Sequence, residues 1–147
     1  MESRNESGRR DIQVVEGVVE AEAAKIARAL GAEVTADFGP RDETPLALVA
    51  RSADGDLVGG LLGASHWRWL YVRQLWLAPT ARGAGIGRAL MGKAEEAARG
   101  RGCVGIYLDT FSEEAARFYA ALGYGECGRI EGFPPGHARR YFAKPFA

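Results

Sequence analysis

Between an apolar stretch ending at Leu77 and a helical pattern opening near Ile86, the chain reads Pro79-Thr80-Ala81-Arg82-Gly83-Ala84-Gly85-Ile86-Gly87-Arg88. Glycine is a poor helix former, so glycines placed where a helix begins need a reason. The first turn of a helix carries unsatisfied N–H groups and the positive end of the helix dipole. With no Cβ in the way, a phosphate group can approach both. Arg82 and Arg88 flank the turn and add positive charge. The segment reads as a strand, a tight turn and a helix that cradle a phosphorylated cofactor. Glycines used only for close strand–helix packing are the competing reading.

Known phosphate motifs narrow the choice. A P-loop needs Gly, four residues, then Gly-Lys-Ser/Thr, but Gly87 is followed by Arg88-Ala89. The dinucleotide fingerprint G-x-G-x-x-G, begun at Gly83, needs glycine at 88, where Arg88 stands. Both failures weaken a nucleotide-binding module, which would prefer ATP or NAD. No buried Cys/His nucleophile pair is evident, and Cys103, opening an apolar strand pattern, reads as packing.

The elements that must position this loop follow from periodicity and turn chemistry. Ile12–Val15 predicts a short first strand. Val18–Leu30 predicts a helix with Val19, Ala23, Ile26, Ala27 and Leu30 near one face, ended by Gly31. Residues 35–45 read as loop. Residues 46–64 read as two strands around the Asp54-Gly55 turn. A second bend at Ser65-His66-Trp67 leads to a long strand, 69–77, apolar on both faces as in a sheet centre. The helix after the glycines shows Ile86, Ala89, Leu90, Ala94, Ala97 and Ala98 on one face, and Gly100 and Gly102 close it. Residues 103–109 predict a buried strand. A short helix follows, with Thr110 and Glu113 spaced as a capping box, Ser112 as a rival cap, and a stripe of Ala115, Phe118 and Leu122. Two late strands flank the stiff Phe133–His137 loop. An antiparallel meander followed by strand–helix–strand–helix–strand implies a mixed α/β (α+β) fold with one central sheet. One domain over residues 12–147, behind a flexible polar leader at 1–11, is the expected organisation.

Composition supports this and excludes other classes. The 147 residues are 47% hydrophobic, a globular composition able to build a core. Lys+Arg and Asp+Glu both number 19, so net charge draws in no nucleic acid. No apolar run reaches the ~20 residues of a membrane span, and Met1–Asp11 lacks the apolar core of a secretory signal. Cys103 and Cys127 have no ligand spacing, and no metal site is expected. They read as reduced thiols of a cytoplasmic protein.

Arg82-x-x-Gly85-x-Gly87, placed after an apolar strand and Ala78-Pro79, resembles the acetyl-CoA loop of the GNAT superfamily of N-acetyltransferases. Ala116–Tyr124, with Phe118-Tyr119 and Gly123-Tyr124, resembles the second signature of that family, at a suitable distance. The resemblance covers roughly Leu57 to the C-terminus. It implies six to seven strands in one mostly antiparallel mixed sheet, with a splayed central pair. It implies that Arg82, Gly83, Ala84, Gly85, Ile86, Gly87 and Arg88 hold the pyrophosphate of CoA. Leu75, Trp76 and Leu77 would run along the pantetheine arm. A backbone N–H near Leu77 would face the thioester oxygen. Tyr119, which also faces the CoA sulfur, matches the general acid that protonates the leaving thiolate; a core aromatic is its bland alternative.

One departure concerns the proton on the amine. Many relatives carry Glu or Asp on the central strand, where this chain has Arg73 and Gln74. A lysine-like amine with a pKa near ~10.4 is neutral in only about one molecule per thousand at pH 7. Asp109, at the end of the next strand, is the first candidate base, with Glu131, His137 and His66 behind it; each also has a structural reading as a cap or turn residue. Trp67, Trp69 and Tyr71 either line an acceptor pocket or are core or interface aromatics. The resemblance implies direct acetyl transfer from acetyl-CoA to a primary amine on a small molecule or peptide, without metal or membrane, and admits a homodimer. A non-catalytic acyl-CoA-binding or sensing domain is the alternative, and turnover discriminates the two.

Overall fold

The computed structural model describes residues 12–17 and 19–147. The expected leader at 1–11, and Val18 at the expected helix start, lie outside them. The chain divides into two compact units, the first ending at Pro40 and the second spanning Arg41–Ala147.

In the first unit, Ile12–Val15 forms no strand; a strand needs a hydrogen-bonded neighbour, and none pairs with it among the described residues. Helix α1 spans Glu20–Phe38 and runs straight through Gly31, its expected end, into the expected loop. A helix-interior glycine costs only about 1 kcal/mol relative to alanine, which the alanine-rich neighbours can absorb. Gly39 is the real stop: its φ is 85° and its N–H donates to the Thr35 carbonyl at 2.9 Å.

The second unit is built on six strands: β1 Thr44–Arg51, β2 Leu57–His66, β3 Trp69–Leu77, β4 Gly105–Thr110, β5 Gly125–Glu131 and β6 Ala138–Pro145. They form one sheet in the order β1-β2-β3-β4-β6-β5. Only the β3–β4 pair is parallel. The β1–β2 hairpin turns where Asp54-Gly55 predicts, with Gly55 at φ 88°. The second bend is tighter than a glycine-free sequence suggests: Trp67 and Arg68 both take positive φ, 44° and 65°.

Helix α2, Ile86–Gly100, buries Gly87, Leu90, Met91, Ala94 and Ala98. The stripe is rotated from the expected one, for Ile86 and Ala97 are half-buried and Ala89 is exposed. Helix α3, Glu113–Ala121, is capped by Ser112, whose hydroxyl accepts from Ala115 N–H at 3.2 Å. Thr110, the expected cap, instead accepts from Ser112 N–H, steering the chain into the cap. The core joins Leu61, Leu70, Val72, Ile106 and Leu108 of the sheet to Met91, Ala94 and Ala98 of α2 and Ala116 and Tyr119 of α3. Ala115, Phe118 and Leu122 pack around its edge.

Candidate active site

The register of β3 explains the site. Leu62 opposes Gln74 but Gly63 opposes Val72, so Arg73 is an extra, bulged residue. Leu70 and Val72 point into the core before it, and Leu75 packs against the core after it. A three-residue step between core positions is what one inserted residue produces. At the same place β3 loses its other neighbour: pairing with β4 runs from Trp69–Gly105 to Val72–Leu108 and stops. Beyond it the two strands diverge.

The backbone direction in the divergent half follows from one bond. Ala78 N–H donates to Val58 O at 2.9 Å, so the hydrogen-bonded pairs of β2 and β3 fall on 78, 76 and 74. Leu75 and Leu77 occupy the other pairs, and their N–H and C=O groups face away from β2, into the opening. The Leu77 carbonyl is met there by Arg82 Nε at 3.3 Å.

A turn of 3₁₀ helix, Pro79–Ala81, then leads to the glycine loop. Gly83 and Gly85 both have φ 81°, a conformation that other residues rarely adopt, and a Cβ on either would meet nothing within 4 Å. Gly85 is the N-cap of α2 with no side-chain cap bond, so the first-turn N–H groups stay available. Gly87 is different. A Cβ there would lie 3.3 Å from both Leu77 Cδ1 and Phe118 Cζ, so this glycine serves packing. The packing reading therefore holds for Gly87, while Gly83 and Gly85 take the left-handed conformation of a tight turn open to the cavity.

Opening and loop belong to one cavity of about 1310 Å³. Leu75, Trp76, Leu77, Arg82, Gly83, Gly85, Ile86, Gly87, Arg88, Asp109 and Tyr119 all line it, and Ala84 does not. Tyr119 is 6% exposed, its ring packed against Phe118, Tyr124 and Phe142. Its hydroxyl makes no hydrogen bond among the described residues, yet is not sealed in the core. Burial, and secondarily the charge of Asp109, push its pKa up to about 12.

Asp109 is held on both oxygens: the Tyr71 hydroxyl donates to Oδ1 at 2.8 Å and Arg139 Nε to Oδ2 at 2.7 Å. Burial and the bond to Asp109 raise the Tyr71 pKa. Tyr71, one of the three aromatics read either as acceptor-pocket lining or as core or interface residues, also lines the cavity, as does Arg139, which sequence reasoning gave no site role. Tyr71 stacks on Tyr107 at 4.9 Å, and Trp69 and His66 pack edge-on to the same ring. Trp67 and Trp69 do not line the cavity, nor does His66, whose Nδ1 is buried without a partner. Burial, and then Arg41, lower the His66 pKa. Glu131 and His137 line a separate depression of about 300 Å³. Of the four candidate bases only Asp109 reaches the main cavity. Among the described residues no group of His, Cys, Asp and Glu is placed to hold a metal ion.

A mixed sheet with a divergent parallel pair, opening onto an uncapped glycine-rich helix start, is the framework of an acetyltransferase. Residues 20–124 match the Acetyltransferase (GNAT) family, and the chain belongs to that family. It is 37% identical over 134 residues to an acetyltransferase of Agrobacterium fabrum, covering 90% of this chain and 98% of that protein. It is 43% identical over 83 residues to the blasticidin-S acetyltransferase of Streptomyces morookaense, covering 56% of this chain and 61% of that one. A crystal structure of an acetyltransferase from Bacillus cereus superposes with a TM-score of 0.83 at 28% identity, over 91% of this chain and 98% of that one. No helix among the described residues is long and apolar enough to cross a membrane.

Proposed function

We propose that the protein transfers the acetyl group of acetyl-CoA to a primary amine of a small molecule, by direct attack without a covalent enzyme intermediate. The observation that carries this is the pair of outward N–H groups on Leu75 and Leu77, in one cavity with the uncapped start of α2. The relatives' acceptors, as in blasticidin-S acetyltransferase, favour a small-molecule amine.

In this reading the N–H groups of residues 83–88, with Arg82 and Arg88, bind the pyrophosphate of the donor. The outward N–H groups of Leu75 and Leu77 and the Leu75 carbonyl pair with the pantetheine amides, continuing the sheet where β4 leaves off. One of their N–H groups donates to the thioester oxygen as negative charge develops on it. Holding amine and thioester together supplies most of the remaining rate. As the nitrogen bonds to the carbonyl carbon its N–H turns acidic, and the Asp109 carboxylate receives the proton. Tyr119 keeps its own proton near neutral pH and donates a hydrogen bond to the departing sulfur.

Calorimetric titration of acetyl-CoA into wild type and Gly85→Glu tests the donor half. Glutamate at φ 81° strains the backbone by about 1–2 kcal/mol and puts negative charge at the phosphate seat. Wild-type binding lost in a folded variant is expected; equal binding in both refutes this seat. Free CoA released with a panel of amines tests the transfer half.

A further inference from the structure

The charged side chains lining the cavity are unevenly shared between its two ends. Arg82 and Arg88 belong to the glycine loop, while Arg73 and Arg139 lie where β3, β4 and β6 meet. The acids lining the cavity are Asp109 and Glu114, and Asp109 is already paired with Arg139 at 2.7 Å. Arg73 has one distant acidic neighbour, Glu43, at 4.0 Å. The end that would take the amine therefore holds two guanidinium groups, Arg73 and Arg139, that can meet an anionic group on the acceptor.

Arg139 is also fixed more firmly than a surface arginine. Its Nε is tied to Asp109, whose other oxygen is tied to Tyr71. Its guanidinium lies 5.2 Å from the Phe133 ring centre and 5.6 Å from that of Tyr141. Its side chain is 31% exposed, and neither terminal nitrogen makes a hydrogen bond among the described residues. A guanidinium bound through Nε keeps its Nη1–Nη2 edge, a fork matched to two carboxylate oxygens.

We propose that the acceptor is an amine that also carries a carboxylate, and that the Nη edge of Arg139 binds that carboxylate. This rests on the acetyl-transfer reading above. Asp109 and Tyr71 then act on the acceptor through Arg139 as positioning residues, whatever proton Asp109 later receives. The arrangement also bears on the proton that Arg73 and Gln74 cannot remove. Two guanidinium groups near the amine disfavour its protonated form and lower its pKa, raising the fraction of neutral nucleophile. The acceptor's carboxylate lets the molecule bind in spite of that field.

The test uses matched pairs: α-amino acids, β-alanine and 4-aminobutyrate, each beside its own carboxamide. Each is assayed for acetyl transfer and titrated calorimetrically into the CoA-saturated protein. The expected result is at least a tenfold preference for an acid over its amide in kcat/KM or in affinity. Arg139→Gln should reduce that preference to within threefold and leave acetyl-CoA affinity unchanged, while Arg139→Lys should keep part of it. An acid preference in binding without any CoA release would uphold the anion seat and refute the transfer reading alone. Amides used as well as acids, an acid preference that survives Arg139→Gln, or acetyl-CoA binding with no acid bound or acetylated, would each overturn the inference.

Discussion

Replacing Tyr119 by phenylalanine separates two roles that a phenol beside a leaving thiolate can play. In the first, the phenol hands its proton over completely. An alkyl thiol has a pKa of about 8.5, and Tyr119 sits at about 12. Full transfer is then uphill by about 3.5 pH units, or about 4.8 kcal/mol. In the second role the phenol keeps its proton and donates a hydrogen bond to the developing thiolate. A hydrogen bond to a charged group contributes about 1.5–3 kcal/mol, a factor of roughly 10 to 150 in rate. The uphill transfer favours the second role. The variant should stay folded, because the ring contacts with Phe118, Tyr124 and Phe142 remain and the hydroxyl bonds no described residue. Steady-state kinetics on a substrate amine should show kcat reduced by roughly 10- to 150-fold with acetyl-CoA affinity little changed. A folded variant with kcat within threefold of wild type would remove Tyr119 from the reaction. A loss beyond about 10,000-fold would mean that the proton does transfer in the rate-limiting step.

Tyr119 also predicts alkaline behaviour. Its folded pKa, about 12, exceeds the unfolded value of 10, so the native state binds the proton more tightly. That stability is complete below pH 10 and is lost as pH rises from 10 to 12, by up to about 2.7 kcal/mol. Urea unfolding from pH 8 to 12 should show this decline, steepened by Tyr124, whose pKa burial and Glu95 also raise; Tyr119→Phe should flatten it, and an unchanged slope would contradict the burial of the phenol. Lys144 joins three elements, donating to Glu95 Oε1 at 2.8 Å and the Leu122 carbonyl at 2.9 Å. Lys144→Ala strands the Leu122 carbonyl and leaves Glu95 Oε1 with the Tyr124 hydroxyl alone, at 3.3 Å, and should lower the urea midpoint by the equivalent of about 1–3 kcal/mol, with the slope m unchanged; an unmoved midpoint would show the contact to be idle.

What could be read from the sequence was local chemistry. The glycine loop, the Asp54-Gly55 turn and Phe118-Tyr119 announce themselves by residue type, and they fall where type predicts. Local choices between near-equals were less legible. Gly31 looks like a helix stop until the stronger stop at Gly39-Pro40 is weighed, and Thr110 competes with Ser112 for one cap. Pairings set by sheet register were invisible. Tyr71 and Arg139 stand 38 and 30 positions from Asp109, and only the order β3-β4-β6 brings all three together. The bulge at Arg73 likewise needs the partner strand: apolar residues fall on both faces of Leu70–Leu77, so alternation alone does not reveal the change of face at Arg73-Gln74.

That bulge divides β3 into halves that answer to different masters. Up to Val72 the strand is tied to protein on both sides, and beyond Arg73 one whole edge is left to whatever enters the cavity. To the pairing of β2 and β3 the extra residue matters as a length, not as a side chain, because it opposes nothing on β2. The identity of residue 73 is thus not set by pairing with β2, while its presence makes the bulge. Deleting it would shorten the step from Val72 to Leu75 to two residues, keep Leu75 on the core face and remove the bulge at the place where β3 parts from β4. The mouth of the cavity is thus shaped by one inserted residue that faces nothing on β2, at the point where β3 and β4 part.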